Sequence, residues 1–239
     1  MVRWHSLTDL SVLAYLINLG VWELFRPDQL FFASRNIALA MANDSTRVLE
    51  IGAVAPPFSL QGTDGDTHSL EDFQDASIVV IVFTCNHCPY AKAKQPALND
   101  IAAAYDDVAV IGINPNDPAQ YPEDSFESMQ DVVAEGIVTL DAYLFDETQD
   151  VAAAYGAVCT PDPFVFERND DEALVLVYHG RIDDAMKPDD EPSEEPGFLL
   201  RSVLNAIQRG EAIPVDAIPA RGCSIKWKPG NEPDWWNSV

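Results

Sequence analysis

The segment "VFTCNHCPYAKA", Val82–Ala93, places two thiols, Cys85 and Cys88, on either side of Asn86 and His87. The apolar run "SIVVIVF" leads into it and a helix-like stretch leads out. Thiols at this spacing lie about one helical turn apart, within reach of a disulfide. A helix beginning inside the motif would bring unpaired N–H groups and the positive end of its macrodipole to Cys85, favouring thiolate. Thiols so placed fall to a pKa of roughly 3.5–7.5, against about 8.5 for a free cysteine. The motif therefore predicts Cys85 as the attacking thiol and Cys88, one turn inside the helix, as the resolving one. His87 is either a source of charge and protons or an exposed loop imidazole.

The other chemical candidates are scattered. "VCTPDPF" carries Cys159, Thr160 and Pro161, and "RGCSIKWK" carries Cys223. Cys159 and Cys223 read either as buried structural cysteines or as further thiols near the pair. Arg181, after Gly180 at a strand end, would support a thiolate or form a surface ion pair with Asp183 or Asp184. A zinc site needs four ligands, for which Cys85, His87, Cys88 and Cys159 are the available set. That arrangement would give up the open redox geometry, and the expectation is no metal and no bound cofactor.

Strand and helix signals alternate from Val48 onward. "PPFSLQGTDGDTHSL" reads as an N-terminal hairpin, punctuated by Pro and Gly. "SIVVIVFT" and "VAVIGIN" are continuous apolar runs, as expected of strands buried on both faces. Between them "CPYAKAKQPALNDIAAAY" is helical, with Pro96 as a kink. "EDSFESMQDVVAEG" opens with Asp124 and Glu127 at capping-box spacing. "DETQDVAAAYGA" is a short helix, "FVFE" and "LVLVYHGRID" are strands, and "GFLLRSVLNAIQRG" is a last helix with Leu199, Leu200, Val203, Leu204 and Ile207 on one face. The stretch "DDAMKPDDEPSEEP" is a solvated acidic loop. This order predicts an α/β fold: a mixed central sheet flanked by helices, with an N-terminal hairpin and a C-terminal tail. The expected divisions are an extension over 1–40, a domain over 43–210 and a tail over 211–239.

The chain of 239 residues carries a formal charge of -25, from 14 Lys and Arg against 39 Asp and Glu. Such a surface repels phosphate backbones, so no nucleic-acid partner is expected. With 47% hydrophobic residues the chain is composed for folding, and its acidity reads as solubility in salt. Four cysteines in this length do not make a disulfide scaffold. "SVLAYLINLGVWELF" is shorter than the roughly 20 apolar residues of a membrane span. Residues 1–40 read as a dispensable extension, an awkward signal peptide or a membrane-associating segment. Apart from that segment no membrane contact is expected, and the expected location is cytoplasmic.

The blocks "CNHCPY", "YPEDSFE", "AYGAVCTPD", "GRIDD" and "GCSIKW", in that order, resemble the thioredoxin-like redoxins related to the alkyl hydroperoxide reductase/thiol-specific antioxidant group. More narrowly they resemble a peroxiredoxin-like subfamily, over roughly residues 48–228. The resemblance implies a thioredoxin-like fold with a cis Thr160-Pro161 bond lying against the cysteine pair. It also implies an oxidoreductase acting on protein or small-molecule disulfides or on peroxides, with a thiol or thioredoxin-type electron donor. The thioredoxin pattern makes Cys85 the nucleophile. The peroxiredoxin pattern puts Cys88-Pro89 at the peroxidatic position, but Cys85 then stands where that pattern has a Thr. Disulfide chemistry begun by Cys85 is therefore the first expectation and thiol peroxidation the second. Copper carriage by Cys85, Cys88 and His179, as in some thioredoxin-like proteins, is a third.

Overall fold

The computed structural model describes residues 42–45 and 48–238. The expectation for residues 1–40 lies outside them. Among the described residues, no helix is long and apolar enough to cross a membrane.

The β-branched run becomes β4, Ile78–Phe83, every residue of which is buried. It lies parallel to β5, Val108–Asn114, and antiparallel to β8, Asp162–Arg168. Side chains alternate across the sheet. Val79, Ile81 and Phe83 join one core cluster, and Ile78, Val80 and Val82 join the other. This is why the sequence shows an unbroken apolar run rather than an alternating one.

Two helices cover the second face. In α1, Pro89–Ala104, Leu98 and Ile101 are buried. In α4, Phe198–Gln208, Leu199, Leu200, Val203 and Leu204 are buried. On the first face lies α3, Asp150–Tyr155, whose Tyr155 packs edge-on against Phe83 and Phe164. The hairpin is β2, Ser59–Gly62, with β3, Thr67–Ser69. Strand β6, Ala142–Phe145, joins that hairpin to β5, and β9, Leu174–His179, closes the far edge. The sheet order is β3-β2-β6-β5-β4-β8-β9. Its strand–helix–strand unit, antiparallel hairpin and closing helix make the fold thioredoxin-like.

A second sheet positions the site. Strands β1, Ala42–Asp44, β10, Arg221–Ser224, and β7, Cys159–Thr160, pair in the order β1-β10-β7. Gly222 allows the closest approach: a Cβ there would meet the Thr160 carbonyl oxygen at 2.0 Å. The expected capping box at Asp124 and Glu127 is not formed. Helix α2, Phe126–Ala134, is capped by Ser125, whose hydroxyl accepts from the Ser128 N–H at 3.3 Å. Asp124 is fully buried and turned elsewhere.

Candidate active site

The helix after the cysteine motif starts one residue beyond the second thiol. Pro89 occupies its first turn and Cys88 is its N-cap. This corrects the expected placement of Cys85 at the helix start and of Cys88 inside the helix. A proline lacks the N–H that the first turn would leave unpaired, and its φ suits that turn, so Pro89 sets the boundary. The positive helix end therefore faces Cys88.

Cys85 lies in the loop before it, with its Sγ 3.2 Å from the Thr160 hydroxyl and 3.7 Å from His87 Nδ1. Cys88 Sγ lies 3.2 Å from the Thr160 carbonyl oxygen, to which it donates only in its protonated form. One residue thus touches both sulfurs, and the Thr160-Pro161 bond is cis. Cys85, Cys88, Tyr90, Ala91 and Cys223 form one buried cluster. Cys223 enters it because it pairs with Thr160 across β10 and β7.

Asp124 holds the loop. Its Oδ1 accepts from the N–H groups of Asn86 and His87 at 2.8 and 3.0 Å. Its Oδ2 accepts from Asn116 Nδ2 at 2.8 Å and pairs with His87 Nδ1. The His87 ring stacks on Tyr121 at 3.9 Å. The Tyr143 hydroxyl donates to Asn86 Oδ1 at 2.9 Å. His87 is therefore a packed, carboxylate-paired side chain rather than an exposed loop residue. Asp124, Tyr121, Asn116 and Tyr143 are partners that the motif alone did not reveal. The block "YPEDSFE", which holds Tyr121 and Asp124, was the available signal.

The thiols differ in their surroundings. Burial raises the Cys85 pKa well above the ordinary value, helped by its hydrogen bond to Cys88, the Cys88 charge and Asp124, and opposed by the Thr160 hydroxyl. Burial also opposes ionisation of Cys88. There, hydrogen bonds from Cys223, Cys85 and the Ala91 N–H outweigh it and hold that thiol well below the ordinary value. Cys159, buried outside the cluster, is pushed up by burial and by Asp162. Access runs the other way. Cys85 lines a groove of about 580 Å³ with Asn86, Lys92, Gln95 and Val138, and Cys88 does not reach it.

Two expected contributors are elsewhere. Arg181 donates to the Pro219 carbonyl at 2.8 Å and lies 3.9 Å from Asp44, not against Asp183 or Asp184. Asp183 instead pairs with Lys94. His179 bonds Asp162 at 2.8 Å and stacks on Phe164, so it is anchored outside the copper set. Among the described residues, the set of three metal-ligand types within 4.8 Å of one another is Cys85, His87 and Asp124. The Asp124 oxygens in that set already accept the hydrogen bonds that fix the loop.

Residues 51–173 match the AhpC/TSA family. The chain belongs to the AhpC/TSA family. The matched span includes Cys85, Cys88, Thr160 and Pro161 and stops short of Cys223. Two solved structures resemble this AhpC/TSA member over most of its length. One, an uncharacterized conserved protein from Geobacillus kaustophilus, is 42% identical with a TM-score of 0.72, over 79% of this chain and 97% of that one. The other, a hypothetical protein from Sinorhizobium meliloti, is 34% identical with a TM-score of 0.70, over 79% of this chain and 100% of that one. No curated protein matches the chain. As an AhpC/TSA member the chain is an oxidoreductase.

Proposed function

We propose that this AhpC/TSA member is a thiol–disulfide oxidoreductase in which Cys85 attacks and Cys88 resolves. The observation that carries this reading is access: Cys85 lines the open groove, whereas Cys88 is fully buried. A disulfide on a protein or small molecule meets Cys85 first. In the reduced pair the Cys85 thiol hydrogen-bonds to Cys88, which holds the charge. As Cys85 attacks, its proton passes to Cys88 and a Cys85–substrate disulfide forms. The departing substrate sulfur leaves as a thiolate and takes up a proton. Cys88, again ionised at the helix end, then attacks Cys85 Sγ. The Cys85–Cys88 bond forms, the Cys85–substrate bond breaks, and the second substrate sulfur departs as a thiolate. The two electrons that reduced the substrate disulfide come from the Cys85 and Cys88 thiols, which end as the Cys85–Cys88 disulfide. A thiol donor must restore the dithiol. No bound cofactor takes part in these steps.

The Cys88→Ser protein lacks that proton acceptor, so it is expected to accumulate a mixed disulfide through Cys85 with an insulin-type substrate as the pH is raised, and the Cys85→Ser protein to trap nothing at any pH. Failure of Cys88→Ser to trap substrate would sink the assignment.

A second reading is thiol peroxidation at Cys88, favoured by its depressed pKa at the helix N-terminus. Peroxide is small enough to need less access than a protein disulfide. A sulfenic acid on Cys88 in the Cys85→Ser protein, with hydrogen peroxide consumed faster than insulin is reduced, would select it.

A further inference from the structure

Cys88 has two thiol neighbours rather than one. Cys85 reaches it from the groove side and Cys223 from β10, and both lie in the same buried cluster. Three features hold Cys223 there. It is paired with Thr160, whose carbonyl oxygen lies 3.2 Å from Cys88 Sγ. Gly222, beside it, lets β10 press onto the Thr160 backbone more closely than any Cβ would allow. β10 also packs on α1, the helix that Cys88 caps.

The charge near Cys223 suits a reacting thiol. Lys226 is 6% exposed and forms no ion pair with a carboxylate among the described residues. Its ammonium donates to the Ser224 carbonyl at 2.8 Å and lies 5.6 Å from the centre of the Tyr121 ring. The Cys88 hydrogen bond and burial hold Cys223 protonated, and the Lys226 charge works against them. Once Cys88 is locked in a disulfide it carries no charge, so the first of those effects is removed and the Lys226 effect remains.

We propose that Cys223 is a third redox thiol, which displaces Cys85 from the Cys85–Cys88 disulfide and leaves a Cys88–Cys223 disulfide. The proposal rests on the disulfide chemistry proposed above. In the step, the Cys223 thiolate attacks Cys88 Sγ, the Cys88–Cys223 bond forms, and the Cys85–Cys88 bond breaks. Its electron pair leaves on Cys85, which takes up the proton that Cys223 gave up. No oxidant or reductant is consumed. Cys85 is thereby freed at the groove as a thiol, and the disulfide is held by the buried Cys88–Cys223 pair.

The test is disulfide mapping by mass spectrometry on the full chain after mild oxidation with oxidised glutathione. The wild type is expected to yield both Cys85–Cys88 and Cys88–Cys223 peptides, and Cys85→Ser to yield Cys88–Cys223. Cys85→Ser leaves Cys223 and β10 untouched, so the result does not depend on the folding of a β10 variant. In Cys223→Ser, one round of substrate reduction should persist while repeated turnover with a glutathione donor falls. A wild type that yields only Cys85–Cys88, with Cys85→Ser remaining reduced or linking Cys88 to Cys159, would overturn the relay. Trapping by Cys88→Ser would survive that outcome, so failure of the relay and failure of the underlying disulfide chemistry are separable.

Discussion

Replacing Asp124 by Asn should weaken the fold and at the same time make Cys85 more reactive. The carboxylate is fully buried and accepts at both oxygens. An asparagine keeps one oxygen, which the two loop N–H groups of Asn86 and His87 would claim. Its amide nitrogen would then face the Asn116 Nδ2 donor. Asn116 cannot turn over freely, because its Oδ1 accepts from the Lys226 N–H at 2.8 Å. One buried donor pair is left opposed, at about 1–3 kcal/mol. Taking about 2 kcal/mol, a chain of this size should lose roughly 4–8 °C in melting temperature. The effect on Cys85 has the opposite sense. The Asp124 charge is among the groups that hold this thiol up, so its removal lowers the Cys85 pKa. The assay is alkylation of Cys85 against pH, read by peptide mass spectrometry in the Cys88→Ser background, beside thermal unfolding. A merely structural role would lower the melting temperature and leave the alkylation midpoint in place. A midpoint that stays or rises, or a melting temperature that does not fall, refutes the reasoning.

Three further outcomes are expected. Gly222→Ala should destabilise the protein by about 1–3 kcal/mol or more, because its Cβ would sit 2.0 Å from the Thr160 carbonyl oxygen; denaturant unfolding at an unchanged midpoint would show that β10 can shift at no cost. Stability should fall as pH rises past the ordinary thiol value of about 8.5 and more steeply past the phenol value of about 10. The reason is that Cys85, Cys159, Cys223, Tyr143, Tyr155 and Tyr178 are held neutral with raised pKa values, so the unfolded chain loses those protons first and is favoured. Cys88 has the opposite sign, its contribution being present above the ordinary thiol value and lost as pH falls through its folded value. Chemical denaturation across that range should show a net loss, and a flat profile would contradict it. With a formal charge of -25, the melting temperature should rise from dilute to molar salt as carboxylate repulsion is screened, and a constant or falling value would remove that reading of the acidity.

The parts of the fold that could be read in advance are those whose burial leaves a local pattern. β4 and β5 are buried on both faces and so are continuous apolar runs, and α4 buries one stripe and so has helical period. Strands β7 and β10 have two and four residues, too few for any period to show, yet they decide where Cys223 lies. Asp124 was read as a cap because spacing is a local signal. Its real partners, Asn86 and His87, are 38 and 37 residues away in the chain. The start of α1 is marked in the sequence by one residue. Pro89 directly after Cys88 is the mark of a first helical turn, and weighing it would have moved the helix end from Cys85 to Cys88.

That one-step shift changes the chemistry of the pair. With Cys85 at the helix end, access and ionisation would have resided on one sulfur and the other would have been passive. With Cys88 there, the sulfur that lines the groove and the sulfur that holds the charge are different atoms, both in contact with Thr160. Attack from Cys85 then requires a proton to cross to Cys88, so its rate should follow the ionisation of the pair rather than of Cys85 alone. Resolution requires no such transfer once Cys88 has lost that proton, because the helix N-terminus already stabilises its thiolate. A thiolate that is buried and charged is poorly placed to meet a bulky disulfide and well placed to close on a neighbour. In this chain it has two neighbours, Cys85 on the groove side and Cys223 on the strand side. The buried position of the anion is therefore what makes a choice of disulfide partner available to the site.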